Sequence, residues 1–273
     1  MQPGKNDIQR LLGALAQAGR VLTGRQIAGR GLTVFPDDVF LVSYPRSGNT
    51  WLRFMLYEIL VGQSSTFTNV HQLVPDIGKQ GRALPVLSNQ GRLIKTHEPY
   101  LPMYHKAIYL VRDARDVALS EFAFQKALGL AKDDFEAYLP RFLRGQVNPF
   151  GSWIAHVDSW MNAKEKGHAE VMLVRFDEMR SEPEESLANM MKFLNVPVER
   201  ETIRRAVLNN SVEKMRDKEK INPQKASAKG RFIRSGAVGG WREKFTDTQA
   251  QLVDRYAGSI LSRLGFAEVE SVS

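Results

Sequence analysis

The residues best suited to chemistry fall in four short segments. In "SYPRSGNTW" (residues 43–51) Arg46, Ser47, Gly48, Asn49 and Thr50 form a small polar turn between an apolar run and an amphipathic one. Where a strand becomes a helix, free backbone N–H groups and the helix dipole converge on one spot, and an anion belongs there. Gly48 lets the backbone approach closely, and the Ser47 and Thr50 hydroxyls can donate. The alternative is an ordinary N-cap made by Ser47 or Asn49. A nucleotide P-loop would read G-x-x-x-x-G-K-[ST]. Here Gly48 is the one glycine, Asn49 stands where the lysine would be, and the cation Arg46 comes before it.

The other segments add charge and a base. "LVRDARDVALSEFAF" (110–124) puts Arg112 at a strand terminus and Ser120 further along the next helix, a pair suited to a second phosphate. Arg115 and Asp116 read as part of a solvated surface charge lattice. "IKTHEP" (94–99) brings Lys95 and His97 to the end of a strand, where a neutral imidazole can take a proton from an alcohol or phenol. A lone histidine is also often structural. "RFIRSGAVGGWREKFT" (231–246) carries Arg234 ahead of Gly236, Gly239, Gly240 and Trp241. Such a loop either folds over a phosphate or is a surface turn.

The elements that must position these groups are legible in the alternation of patterns. Residues 39–44, 92–97, 107–113 and 170–176 are short, continuous apolar runs rich in Val, Ile and Leu, the pattern of buried strands. Helical patterns follow at 50–61, 114–127 and 183–194. That order predicts an α/β fold with a central parallel sheet flanked by helices on both faces. Ligands in such sheets bind beyond the carboxyl ends of the strands.

With 273 residues, 43% of them hydrophobic, a single domain with a sizeable core is expected over 1–273. Residues 34–265 would be its core and 1–33 a helical extension, an amphipathic helix packed on the domain. The absence of Cys excludes a disulfide framework and suits a cytoplasmic protein. No apolar run approaches the length of a membrane span. The net charge of +8 favours an anionic ligand. No nucleic-acid motif accompanies it, so no nucleic-acid partner is expected. His71, His97, His105, His156 and His168 lie without ligand spacing, and no metal is expected.

Taken together, the four segments resemble the cytosolic sulfotransferases, which use 3′-phosphoadenosine 5′-phosphosulfate (PAPS) as sulfuryl donor. "SYPRSGNTW" resembles that family's P-loop-like phosphosulfate loop, Y-P-K-S-G-T-T-W. "VRDARDVALS" resembles its 3′-phosphate strand and helix, "KTH" its catalytic lysine and histidine, and "RSGAVGGWREKFT" its R-K-G-x-x-G-D-W-x-x-x-F-T. "GSWIAHVDSWMNA" (151–163) and "RFDEM" (175–179) match lesser stretches. The resemblance implies PAPS as co-substrate, His97 as general base, and Lys95 and Arg46 at the sulfuryl group. Ser47, Gly48, Asn49 and Thr50 would surround the 5′-phosphate and Trp51 would stack near adenine. Arg112, Ser120, Arg234, Ser235 and Gly236 would hold the 3′-phosphate.

The chain departs from the pattern in places. Arg46 replaces a lysine, Phe176 a tyrosine near adenine, Asn210 a threonine at the base, Ser235 a lysine and Gly240 an aspartate. The family's dimer motif would fall on Arg242, Thr246, Asp247 and Gln251 with two of its anchors lost, which leaves the oligomeric state open. The acceptor would be a small hydroxylated molecule, and Phe67, Phe122, Phe124 and Tyr138 are candidates either for its pocket or for the core. One rival reading is an ATP-dependent P-loop kinase, with Asp113 and Asp177 as Mg²⁺ ligands. Another is a PAPS-binding protein without catalysis.

Overall fold

The computed structural model describes residues 5–23, 32–222, 233 and 236–266. In chain order it contains α1 (Lys5–Leu22), β1 (Val39–Val42), α2 (Asn49–Val61), α3 (Val70–Leu73), β2 (Leu93–Thr96) and β3 (Lys106–Val111). There follow α4 (Ala114–Ala127), α5 (Phe135–Leu143), α6 (Trp153–Glu165), β4 (Glu170–Arg175) and α7 (Phe176–Ser181). The chain continues through α8 (Pro183–Phe193), α9 (Arg200–Asn209), α10 (Val212–Lys220) and α11 (Asp247–Arg263).

The strands form one parallel sheet in the order β2-β1-β3-β4. Every residue of β1 and β2 is buried, as expected of strands covered on both faces. Side chains alternate between those faces. Phe40, Val42, Ala107, Tyr109 and Val111 enter a core with residues of α4, α5, α6 and α11. Val39, Leu41, Ile108 and Leu110 enter a second core with residues of α2, α8 and α9. From β1 the chain goes to β2 on one side and then crosses to β3 on the other. The order therefore reverses around β1, and the loops leaving β1 and β3 flank the crevice where open α/β sheets bind ligands.

All four predicted strands and the three predicted helices form, within a few residues of their expected ends. The amino-terminal helix needs a correction. α1 forms, but Leu12, Leu15 and Leu22 are 60%, 61% and 87% exposed. Helical spacing was enough to make the helix, whereas these three leucines find no cover among the described residues.

Candidate active site

The loop from β1 into α2 is bent by two left-handed residues, Arg46 (φ 68°) and Gly48 (φ 97°). A non-glycine residue held in that region costs free energy, and such strain clusters at functional sites. Gly48 is required twice over, since a Cβ there would lie 2.5 Å from the Phe176 ring. No side chain caps α2 and no acidic residue lies in its first turn, which leaves the opening N–H groups for an incoming anion. Ser47 is 1% exposed, and its hydroxyl is buried without a partner. A buried orphan hydroxyl at an uncapped helix start fits a phosphate or sulfate group.

Asn49 contributes differently from expectation: its side-chain amide turns inward and donates to the Leu41 carbonyl at 3.3 Å. What it offers a ligand is backbone. Thr50 follows at the second helical position, half-buried. The Trp51 indole donates to the Asn210 carbonyl at 2.7 Å and meets the Phe176 ring edge-on at 6.2 Å.

Asn210 is wholly buried and does not present its side chain to a ligand. Its side-chain oxygen accepts from Lys218 Nζ (2.7 Å) and from Ser65 Oγ (3.1 Å). Lys218 in turn pairs with Glu58 at 2.9 Å. Burial pushes the Glu58 carboxyl up, but Lys218, Ser65 and Asn209 bring it below its ordinary value. The network ties α10 to α2 and leaves Asn210 to act through the carbonyl that holds Trp51.

The strand β3 delivers Arg112, which stitches the site together. Its guanidinium donates to the Arg46 carbonyl at 3.2 Å and to the Ala237 carbonyl at 2.8 Å, and lies 4.7 Å from the centre of the Phe176 ring. Ser120, on the buried side of α4, accepts from Arg46 Nε at 3.3 Å, while the Arg46 guanidinium covers the Phe124 ring at 4.5 Å. Gly236 adopts φ 60° and lies near Val212 and Arg180. Arg180, which no sequence pattern singles out, sits 5.2 Å from the Trp51 ring. Arg234 and Ser235 lie outside the described residues.

Arg115 and Asp116 are not a surface lattice. Arg115 is fully buried, paired with Asp113 at 2.7 Å and stacked on Trp241 at 3.9 Å. Asp116 accepts from the N–H groups of Gly239 (2.8 Å) and Trp241 (3.1 Å), and burial pushes its carboxyl up. The expectation failed because charged spacing on a helix looks the same whether it faces water or an arriving loop. Together these side chains clamp residues 237–241 beside Arg112.

Lys95 lies in β2, and His97 follows two residues on, just past the strand's end. His97 Nδ1 donates to the Ser43 carbonyl at 2.6 Å, which leaves Nε2 as the ring's lone-pair nitrogen. Burial, then the neighbouring Lys95 ammonium, hold His97 well below its ordinary value, so the ring is neutral at neutral pH. His156 stands behind it, its Nε2 donating to the His97 carbonyl at 3.0 Å and its Nδ1 accepting from Tyr109 at 3.0 Å. Burial lowers His156 to about 4, which makes it a neutral structural support. The segment 151–163 that contains it was the available signal. Of the candidate acceptor aromatics, Phe124 meets Arg46, whereas Phe67 packs on Phe54 in the core and Phe122 and Tyr138 pack on each other.

Comparison with known proteins gives the family. Residues 36–265 match the family described as "Sulfotransferase domain". The chain is 30% identical over 244 residues to sulfotransferase 1B1 of Canis lupus familiaris, covering 80% of this chain and 81% of that one. It is 26% identical over 261 residues to sulfotransferase 1A1 of Mus musculus, covering 87% and 89%. Among solved structures, mouse sulfotransferase SULT7A1 complexed with PAP superposes with a TM-score of 0.66 at 26% identity, covering 91% of each chain. Retinol dehydratase in complex with androsterone and inactive cofactor PAP shares the fold, with a TM-score of 0.68 at 19% identity over 89% of this chain and 85% of that one. The family match takes in the β1–α2 loop, the ends of β2 and β3 and the 236–246 segment in one continuous span, and the chain belongs to the sulfotransferase family.

Proposed function

We propose that this sulfotransferase moves the sulfuryl group of PAPS to a hydroxyl or amine of a small-molecule acceptor by in-line displacement, with His97 as general base. The donor's 5′-phosphosulfate would lie on the Ser47 to Thr50 turn and α2 N-terminus, and its 3′-phosphate on Arg112 and Ser120, with Arg234, Ser235 and Gly236 closing over it. Adenine would pack by Trp51 and Phe176. His97 Nε2 takes the acceptor's proton as the acceptor atom bonds to sulfur and the bond from sulfur to the bridging phosphate oxygen breaks. The leaving phosphate carries away the electron pair. Charge that builds on it and on the sulfuryl oxygens would meet Arg46, Lys95 and the loop N–H groups, which are fixed before the reaction starts.

The observation that carries this reading is the 2.6 Å contact of His97 Nδ1 with the Ser43 carbonyl. A ring whose Nδ1–H is committed to the Ser43 carbonyl has its base nitrogen ready, on the same strand end as Lys95. The kinase alternative wants free acidic Mg²⁺ ligands. Asp113 is paired with Arg115, and Asp177 with Arg175 at 2.5 Å. A thermal-shift comparison tests the donor. 3′-Phosphoadenosine 5′-phosphate (PAP) at a hundredfold excess over its Kd should add roughly 2.7 kcal/mol of stability. Equal stabilisation by ATP with Mg²⁺ would overturn the assignment.

A further inference from the structure

The Lys95 ammonium has a dedicated carboxylate partner. Residues 75–77 run beside the edge strand β2 through a single parallel bridge between Asp76 and Lys95. Lys95 N donates to the Pro75 carbonyl at 2.8 Å and Ile77 N to the Lys95 carbonyl at 3.0 Å. That backbone clamp brings Asp76 Oδ2 to 2.5 Å from Lys95 Nζ, with 14% and 10% of the two side chains exposed. The carboxylate is held from behind, its Oδ1 accepting from Gly78 N at 3.1 Å, while Asp76 N donates to Gln80 at 2.8 Å. Its placement is therefore fixed by four backbone and side-chain contacts besides the ion pair.

We propose that Asp76 is a positioning residue for sulfuryl transfer: its carboxylate, clamped beside the end of β2, holds the Lys95 ammonium in place. The proposal rests on the sulfuryl-transfer reading. Buried without a partner, a lysine amine loses its proton and with it the ability to stabilise a developing anion. Burial already lowers Lys95 to about 8, and of the charged groups around it Asp76 opposes that fall while Arg53 and Lys79 add to it. Arg53, on α2, is itself buried and donates to His71 Nδ1 at 3.0 Å and to the Val74 carbonyl. Burial pushes the Asp76 carboxyl up, but Lys95, Gly78 and His97 together draw it down to about 2. The same carboxylate faces His97, where it raises proton affinity against burial, Lys95 and His156.

The signs give a signature that a merely structural carboxylate would not produce. Asp76→Asn keeps a side-chain oxygen for the Gly78 N–H and removes the charge. In the native enzyme Lys95 is charged below about 8, and activity should fall above that as it deprotonates. Removing Asp76 lowers both Lys95 and His97, so both limbs of the kcat/KM profile should move to lower pH, the alkaline one by roughly one pH unit or more. Asp76→Glu, which keeps the charge, should restore them. Titration of the Lys95 side chain by NMR in ¹³C-lysine protein, assigned with Lys95→Arg, reads the same change without any acceptor. PAP binding and product formation by the native enzyme separately test the transfer reading. A profile and a Lys95 titration that superimpose on those of the native enzyme, even with a lowered Tm, would overturn the proposal. If Asp76→Asn fails to fold, the native protein still decides: an Asp76 carboxyl titrating near its ordinary 3.8 contradicts the ion pair.

Discussion

Replacing Gly48 by alanine should damage the proposed donor site through two separable effects. The backbone at Gly48 has φ 97°, a conformation that costs an L-residue about 1–3 kcal/mol. The new methyl would also lie 2.5 and 2.6 Å from two carbons of the Phe176 ring. That ring is 4% exposed, capped by Arg112 on one side and met edge-on by Trp51, so it has little room to withdraw. Overpacking of this kind costs about 1–3 kcal/mol. Neighbouring effects do not simply add, and relaxation of the ring relieves part of both. A total loss of about 2–4 kcal/mol by urea unfolding is expected, together with weakened PAP binding by calorimetry, because Phe176 and Arg112 move with the loop. Adding Phe176→Leu should recover the steric share and leave the backbone share. Gly48→Ala with native stability and native PAP affinity would refute the reasoning. A double variant no better than the single one would refute the steric half.

Two further outcomes follow from the clamp around Arg112. Arg112→Ala removes a cation that bridges the Arg46 and Ala237 carbonyls, and should weaken PAP binding by roughly 1.5–3 kcal/mol, the worth of a charge-assisted hydrogen bond; unchanged calorimetric affinity would remove Arg112 from the donor site. Asp116→Asn sets an amide NH₂ against one of two backbone N–H groups that now share a carboxylate, and should cost roughly 1–3 kcal/mol. Faster hydrogen exchange at the Gly239 and Trp241 amides is the check, and exchange as slow as in the native protein would contradict the clamp.

Much of this was legible in the sequence because strand ends announce themselves. Four apolar runs, each followed by polar residues, were enough to place Arg46 to Thr50, Lys95, His97 and Arg112 at the carboxyl end of a parallel sheet, and the structure puts them there, although the edge strand β4 is only partly buried. What sequence could not supply was direction. Asn49 and Asn210 stand at the expected positions in the chain, yet both amide side chains turn into the protein, because Leu41 and Lys218 offer better partners than an open crevice. Arg115 and Asp116 have the spacing of a solvated helix face, but residues 237–241 arrive over them from more than a hundred positions away in the chain. Asp76 sits in a stretch with neither helical nor strand periodicity, and a single bridge to β2 gives it its meaning. Pairings over such sequence distances leave no local pattern to read.

The most direct test of the account is turnover set against donor affinity in one purified variant, His97→Ala, using isotopically labelled PAPS and an acceptor found by mass-spectrometric screening. In the proposed mechanism His97 Nε2 is the base, with Nδ1 committed to the Ser43 carbonyl. Removing it should cut sulfated-product formation by about 10²–10⁴, the usual share of positioned proton transfer, and the loss should shrink for acceptors that are already ionised. PAP affinity should stay near that of the native enzyme. A folded His97→Ala protein that still transfers labelled sulfuryl groups at close to the native rate would contradict the mechanism.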